Sequence, residues 1–376
     1  MKEVNQLNFS AEDKFNIIVK NCADLTAVSV SKNFSEYGII EDVQMDAEKY
    51  RELNEKVKES MLCYAAEKAG IPTPKDATEM AFALDNSMFK TVLNSIIARS
   101  IMTVMATYRA PQLDRLAQID TVSVGNSMTY EIETKALPIA QKATYGSNVT
   151  MVPSYAKSSL TVKPVPYSIG LSLDFIRILA NGYDWGYAIA RVYAGMLFAQ
   201  YKLIVSKLFD TAVLNGTPLY QQYFASATYT QLASDVAMLA GVGTSNVTAY
   251  GSLVAWNALS ALATQGGFTT KDEYIRNAYL QKIYGIDSMI LSDFTNFAAP
   301  FTTSNAPSLR SIPNNLIVLV PSNDKPIKLV RESYIRVTET PASDNNLNRN
   351  EYSYFQSFDA VLATPNYFGL QGTATN

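Results

Sequence analysis

The sequence of 376 residues contains no histidine. Without an imidazole, the chain cannot form a Ser-His-Asp or Cys-His catalytic pair, and it has no histidine to act as general base or zinc ligand. Its two cysteines, Cys22 and Cys63, are too few for a thiolate cluster and do not form a C-x-x-C pair. We therefore expect two reduced thiols of a cytosolic protein, no metal site and no cofactor.

Charge is also scarce, because only 17% of the residues are Asp, Glu, Lys or Arg and the net charge is -3. Ordinary globular chains carry about 25% charged residues, so part of this surface is predicted to meet other protein. The 23 tyrosines favour the same interpretation, since tyrosine buries a ring while keeping a hydroxyl for a partner. The lack of a Lys/Arg cluster argues against sequence-specific DNA binding and leaves only loose contact with nucleic acid open.

The N-terminus lacks the basic and then apolar pattern of a secretory signal, so we expect the chain to be made and kept inside a cell. The most apolar long stretch, residues 185–209, is interrupted by Arg191, Lys202 and Lys207. A membrane span needs about 20 nearly uncharged residues, so no span is predicted.

Helical periodicity dominates the first part of the chain. A capping signal at Ser10 precedes an apolar run, and from Val43 to Tyr64 apolar residues recur at steps of three and four on a charged helix. Such a narrow stripe predicts packing against a helix of the same chain or of another subunit. A further helix is predicted from Met88 to Tyr108.

From about Val122 the apolar residues recur at every second position, which is the period of a β-strand. Val122 and Val124 lead into Gly125-Asn126, a hairpin signal, and an alternating strand follows. Residues 134–154 lack an apolar repeat and are predicted to project as an arm. The strand pattern that resumes near residue 160 slips by one residue at Pro164, which predicts a β-bulge.

One long helix is predicted from its Asp184 cap to Leu214, a rod of ~45 Å at ~1.5 Å per residue. A mixed α/β module follows, with helices predicted at 231–240, 253–263 and 270–284 and strands at 288–291 and 316–320. After a strand at 334–338 and a polar insert at 341–350, residues 352–362 form a strand with apolar side chains on both faces. That pattern predicts a strand sandwiched between two layers.

Few residues are candidates for chemistry. Glu131 and Glu133 lie on one face of a predicted strand and could act as a hydrolase pair, but the solvated side of an exposed hairpin explains them better. Lys135 and Lys142 are either cross-linking nucleophiles or charged tips that touch a neighbouring subunit. We predict no catalytic, cofactor-binding or metal-binding residues.

Taken in order, these elements resemble the major capsid proteins of tailed phages, the Hong Kong 97 (HK97-like) fold, over about residues 88–370. The resemblance implies an α+β fold with an N-terminal helical arm, an extended β-hairpin loop, a peripheral domain with a long spine helix and long strands, and an α/β axial domain. The implied division is 1–75 helical arm, 76–120 leading helix, 121–171 extended loop, 172–225 peripheral domain with spine helix, 226–330 axial domain, 331–362 peripheral strands and loop, and 363–376 return to the axial domain.

The resemblance also implies a function without enzymatic activity. The chain would self-assemble through pentamers and hexamers into an icosahedral head around double-stranded DNA, in the virion after assembly in the host cytoplasm. Portal and scaffold or decoration proteins would be partners, with no membrane contact. An encapsulin-type compartment is the alternative, and a carboxylate hydrolase is a remote one.

The implied subunit contacts lie in the extended loop and in the peripheral loop that meets at threefold contacts. The candidates are Lys135, Lys142, Tyr145, Asp344 and Arg349. Some members of the family bond a loop lysine to a peripheral asparagine. Here Lys135 or Lys142 would supply the lysine, and the matching segment contains Asn345, Asn346 and Asn348.

Overall fold

The computed structural model describes most of the chain. The described residues are 13–34, 43–108, 111–133, 157–174, 184–214, 223–224, 247–257, 282–283, 286–291, 312, 316–321, 325, 327–340, 349–363 and 369–372. The helices are α1 Asp13–Phe34, α2 Ala47–Ala69, α3 Ala77–Asp85, α4 Ser87–Thr107, α5 Pro111–Leu116 and α6 Trp185–Leu214. The strands are β1 Ala117–Val122, β2 Met128–Glu133, β3 Lys157–Val162, β4 Val165–Asp174, β5 Tyr223–Phe224, β6 Val247–Gly251, β7 Lys282–Ile283, β8 Ile286–Ile290, β9 Leu316–Pro321, β10 Ile327–Glu332, β11 Arg336–Thr340, β12 Arg349–Leu362 and β13 Gly369–Gly372.

The N-terminal helices form part of the core. The predicted helices are confirmed as α1 and α2, and α1 lies against both α4 and α6. Leu25 and Val30 of α1 are fully buried, and so is Met61 in the apolar stripe of α2. The stripe therefore packs against helices of the same chain. The sequence had left open whether its partner was a helix of the same chain or of another subunit.

The long helix is confirmed as α6, with its predicted start and end. The Asp184 carboxylate caps it by accepting a hydrogen bond from the Tyr187 amide at 2.8 Å. The segment Trp185–Phe209 is long and apolar enough to cross a membrane, judged by length and composition alone. However, 67% of that apolar window is buried inside the fold, as in the core helix of a globular domain.

The first sheet is built around β12. Its order is β1-β10-β12-β11, and β4 pairs with the other edge of β12. The predicted long strand is confirmed, although it begins at Arg349 rather than Tyr352, so the polar insert is shorter than expected. Burial alternates along it: Tyr354, Gln356 and Phe358 are buried on the face towards α6, and Phe355 and Ser357 between them are half-buried. The helix α6 thus forms one of the two predicted layers, and the second layer stays a prediction.

Two predictions about strand pairing are also wrong. A turn forms at Gly125, where φ is 79°, but β1 and β2 do not pair with each other. Instead β1 runs parallel to β10, and β2 pairs antiparallel with β3. The slip at Pro164 is not a bulge within one strand, because β3 and β4 belong to different sheets. The change of parity marks the point where the chain leaves one sheet and joins the other.

The second sheet has the order β5-β13-β9-β6-β8-β7. The strands predicted at 288–291 and 316–320 are confirmed as β8 and β9, and residues 253–257 are helical as expected. The helix predicted at 270–284 is wrong at its end, where Lys282–Ile283 pairs with β8 as a strand. The helix predicted at 231–240 lies outside the described residues.

Candidate assembly surface

The two-stranded sheet of β2 and β3, called the hairpin below, presents two different faces. Thr129 and Thr161 are opposite each other on an exposed polar face, with their Oγ1 atoms 3.0 Å apart. The opposite face carries the apolar pairs Met128 with Val162 and Tyr130 with Leu160. Alternating residues on a strand point to opposite faces, so the period-two pattern of the sequence produces this division directly.

Side-chain hydrogen bonds hold the hairpin to the first sheet at its root. The Tyr130 hydroxyl on β2 donates to Asp120 Oδ2 on β1 at 2.6 Å. The pKa of Tyr130 lies above its ordinary value, first because the side chain is partly buried, and then because the Asp120 carboxylate accepts a hydrogen bond from the neutral hydroxyl and would repel a phenolate. Gln118 Nε2 donates to the same Asp120 oxygen at 3.0 Å.

The turn before the hairpin is held by a second carboxylate. The Gly125 amide donates to Glu332 Oε1, at the end of β10, at 2.9 Å. The amide of Ser333 donates to the Val122 carbonyl, also at 2.9 Å. Residues 122–125 are therefore tied to the far end of the chain, although more than two hundred positions separate them in sequence.

Large apolar side chains remain exposed around this region and along β4. They are Val124 (61% exposed), Val165 (52%), Tyr167 (38%) and Tyr334 (56%). Tyr167 stacks on the buried ring of Phe358 with a centroid distance of 4.1 Å. Among the described strands, β4 pairs only with β12, so its other edge has no partner within this part of the chain. Exposed apolar groups beside an open strand edge are typical of a contact surface.

Of the predicted contact residues, the structure places one. Arg349 is the first residue of β12 and lies opposite Asp174 of β4. Lys135, Lys142, Tyr145 and Asp344 lie outside the described residues, as do the three asparagines considered for a cross-link.

The two carboxylates at the hairpin root were missed by the sequence analysis. Asp120 lies ten residues before Tyr130, on the other side of a glycine turn, which is a weak local signal. Glu332 had no local signal at all, because its partner is 207 positions away.

The remaining candidates for chemistry do not come together in the part of the chain that the structure describes. Glu131 is exposed on the polar face of the hairpin, and the side chain of Glu133 lies outside that part. No group of three or more metal-ligating side chains occurs among the described residues. Burial raises the pKa of the Cys22 thiol to about 11, so that thiol stays protonated and unreactive at neutral pH, whereas Cys63 is exposed.

Tyrosine-carboxylate hydrogen bonds recur at the contacts between elements. Besides Tyr130 with Asp120, the Tyr50 hydroxyl on α2 donates to Asp184 Oδ1 at 2.6 Å. The Tyr108 hydroxyl donates to Asp24 Oδ1 on α1 at 3.0 Å. Partial burial, and then the charge of Asp24 and its hydrogen bond, raise the pKa of Tyr108 to about 12.

These bonds predict how stability depends on pH. Tyrosine ionises at pH ~10 in an unfolded chain, so stability from the raised pKa of Tyr108 is present below that pH. It is lost as the pH rises through about 12. We expect the difference in unfolding free energy between the wild type and Tyr108→Phe, ~1–3 kcal/mol at pH 8, to shrink steadily above pH ~10. Urea titrations at a series of pH values measure this difference, and a difference that stays constant above pH ~10 would contradict the raised pKa of Tyr108.

Residues 38–371 match the sequence model of a protein family described as "SPbeta prophage-derived putative capsid protein YonB". No curated protein matches the chain. The family match includes every described helix and strand except α1 and the last residue of β13.

Several solved capsid structures are similar to this chain at low sequence identity. The cyanophage P-SCSP1u capsid is 12% identical, with a TM-score of 0.44, and the match covers 70% of this chain and 88% of that one. The mature capsid of bacteriophage PhiM1 is 9% identical, with a TM-score of 0.45, covering 70% and 86%. A virus-like particle from Pyrococcus furiosus is 8% identical, with a TM-score of 0.41, covering 73% and 97%.

Proposed function

The chain belongs to the family of the SPbeta prophage-derived capsid protein YonB, and from this premise we propose how it assembles. It is a bacteriophage major capsid protein, a structural component of the virion and not an enzyme. Copies of the chain associate through pentamers and hexamers into an icosahedral head that encloses double-stranded DNA. Assembly takes place in the host cytoplasm, with portal and scaffold or decoration proteins as partners.

The exposed hairpin is the observation that carries this proposal. A two-stranded sheet is only marginally stable in water without further packing. Here the hairpin is not paired with the first sheet, and its polar face is exposed. Contact with a neighbouring copy would supply the packing on this face that the described residues of its own chain do not provide. The open edge of β4 and the exposed Val165 and Tyr167 extend the same surface along the subunit.

The proposal includes the division of the fold that the resemblance implies. Residues 121–171 form the extended loop, whose described part includes the end of β1, the hairpin and the start of β4. In this proposal α6 is the spine helix of a peripheral domain built on the first sheet. The second sheet belongs to the axial domain. Lys135, Lys142 and Tyr145 at the loop tip, and Asp344 and Arg349 in the peripheral loop, are the proposed subunit contacts.

The proposed contact with DNA is loose. The chain carries 31 basic and 34 acidic residues and no Lys/Arg cluster in its sequence, so its overall charge does not attract the phosphate backbone. A protein that makes few phosphate contacts binds weakly and loses little affinity with added salt. We therefore assign DNA the role of packaged cargo, not of a specific ligand.

Replacing residues 129–161 with Asn-Gly tests the proposal. The wild-type chain, expressed with any scaffold it needs, is expected to form closed shells, whereas the shortened chain is expected to remain as small species. Sedimentation velocity and electron microscopy distinguish the two. The buried Trp185 and Trp256 report the fold through their fluorescence, one beside the helices and one beside the second sheet.

Two results would contradict parts of this proposal. Wild-type chains that stay small under every condition would contradict self-assembly, and shells formed by the shortened chain would remove the hairpin from the contact. Shells from the native source that contain a cargo enzyme and no DNA would favour the encapsulin alternative. Thr161→Val is the matched control, because it alters the exposed face and keeps the hairpin.

A further inference from the structure

We propose that Asp120 and Glu332 form a clamp that sets the angle at which the hairpin leaves the first sheet, and that this angle helps to determine the curvature of the shell. The inference rests on the proposed self-assembly and adds residues that control its geometry. The clamp consists of two hydrogen bonds, Tyr130 Oη to Asp120 Oδ2 and Gly125 N to Glu332 Oε1.

The two carboxylates come from neighbouring strands. β1 and β10 run parallel, and Asp120 lies opposite Val330, two residues before Glu332. One carboxylate therefore holds the turn and the other holds the strand that follows it. Two bonds several residues apart restrict rotation, whereas one bond would act as a pivot.

The Asp120 carboxylate is itself held in position. Gln118 Nε2 donates to Asp120 Oδ2 at 3.0 Å, and Lys328 Nζ donates to Gln118 Oε1 at 3.2 Å. Lys328 also donates to the carbonyl of Lys325 at 2.8 Å. This chain of hydrogen bonds runs from β10 to β1 and fixes the orientation of the Asp120 carboxylate that accepts the hydrogen bond from Tyr130.

The clamp is needed because the backbone does not fix the hairpin. Among the described strands, β2 pairs with β3 and not with β1, so no ladder of backbone hydrogen bonds between them continues from the first sheet into the hairpin. The second connection, Lys163-Pro164, offers one backbone donor fewer because proline has no amide hydrogen. The angle between the hairpin and the first sheet therefore depends on the side-chain hydrogen bonds at the root.

A small change in angle at the root is magnified at the far end. Six strand residues extend ~20 Å at ~3.3 Å per residue, so a tilt of ~10° moves the far end by ~3–4 Å. That displacement exceeds the tolerance of a hydrogen bond. Subunits with a loose hairpin would therefore meet their neighbours at variable angles.

The test uses Tyr130→Phe together with Glu332→Met. The first change removes only a hydroxyl, and the second removes the acceptor while keeping the side-chain length. Thr129→Val is the matched control, because it removes a hydroxyl from the same strand on the opposite face. Folding of every variant is checked by the fluorescence of Trp185 and Trp256.

The angle is measured on dilute, unassembled subunits by electron paramagnetic resonance. Spin labels are placed at Ser159→Cys on the hairpin and Lys202→Cys on α6, in a Cys63→Ser background with Cys22 buried. We expect one narrow distance distribution for the wild type and the control, and a distribution broadened at least about twofold for the double variant. An unchanged distribution in the double variant would overturn the clamp.

Particle diameters from electron microscopy test whether the hairpin angle helps to determine the curvature of the shell. We expect the wild type and Thr129→Val to give one diameter, and the double variant to give several diameters or open sheets. A broadened distance distribution with an unchanged diameter would overturn the link to curvature. If the wild type forms no shells, self-assembly fails, but the distance measurement still decides whether the clamp exists.

Discussion

Leu25→Asp is expected to abolish the folded subunit, whereas Ile17→Asp on the same helix is expected to leave it folded. Leu25 is 0% exposed and packs in the core formed by α1, α4 and α6, while Ile17 is 58% exposed. An unpaired carboxylate in an apolar core costs several kcal/mol in addition to the lost burial of leucine. Since the free energy of unfolding of a domain is only about 5–15 kcal/mol, this loss is comparable with the total stability of the subunit.

Soluble yield and the fluorescence of Trp185 measure this difference. In the wild type and in Ile17→Asp, the buried indole should emit at short wavelength, and in Leu25→Asp it should emit like tryptophan in water. A folded Leu25→Asp subunit would show that α1 is dispensable for the core. The pair of variants isolates burial, because both replace an aliphatic residue of α1 with aspartate and change the net charge equally.

Gly186→Val is expected to have the second largest effect, because there is no room for a side chain at this position. A Cβ on residue 186 would lie 2.5 Å from Tyr50 Oη and 2.8 Å from Leu25 Cγ. Contacts this short force α1 and α2 away from α6 and break the bond from Tyr50 to Asp184. Overpacking of this kind costs ~1–3 kcal/mol, and the lost charged hydrogen bond adds ~1–3 kcal/mol.

Gly170→Val in β4 is the matched control, since no atom lies within 4 Å of the Cβ that it would add. Valine favours strands, so this variant should be as stable as the wild type or slightly more stable. Urea unfolding followed by circular dichroism gives both free energies. Equal stability of the two variants would contradict the close packing of α1 and α2 on α6.

Both predictions depend on how the N-terminal helices hold α6. At the start of that helix the Trp185 amide donates to Asn54 Oδ1 of α2 at 3.0 Å, and Asp184 accepts from Tyr50. Asn54 is buried, so its loss would leave a helix-terminal amide without this acceptor. The helices expected from the sequence as an arm thus complete the subunit core, and removing them would uncover α6.

The sequence by itself determined the local elements and the class of protein. The 3.6-residue period and the Asp184 cap specified α6 to within a residue at each end, and the alternating pattern located β2 and most of β12. These features depend on residues that are close together in the sequence, so they can be predicted without knowledge of the tertiary structure. The order of the elements was enough to indicate a phage capsid protein, which the family match confirmed.

The tertiary structure alone decided which strands pair and what holds the hairpin. Ala117 meets Ile327 across β1 and β10, and Glu332 reaches back to Gly125. Each strand has a local pattern that is compatible with several partners, and the choice between them depends on the packing of residues far apart in the chain. The turn at Gly125 was therefore predictable, while the neighbour of β1 and the two carboxylates at the root were not.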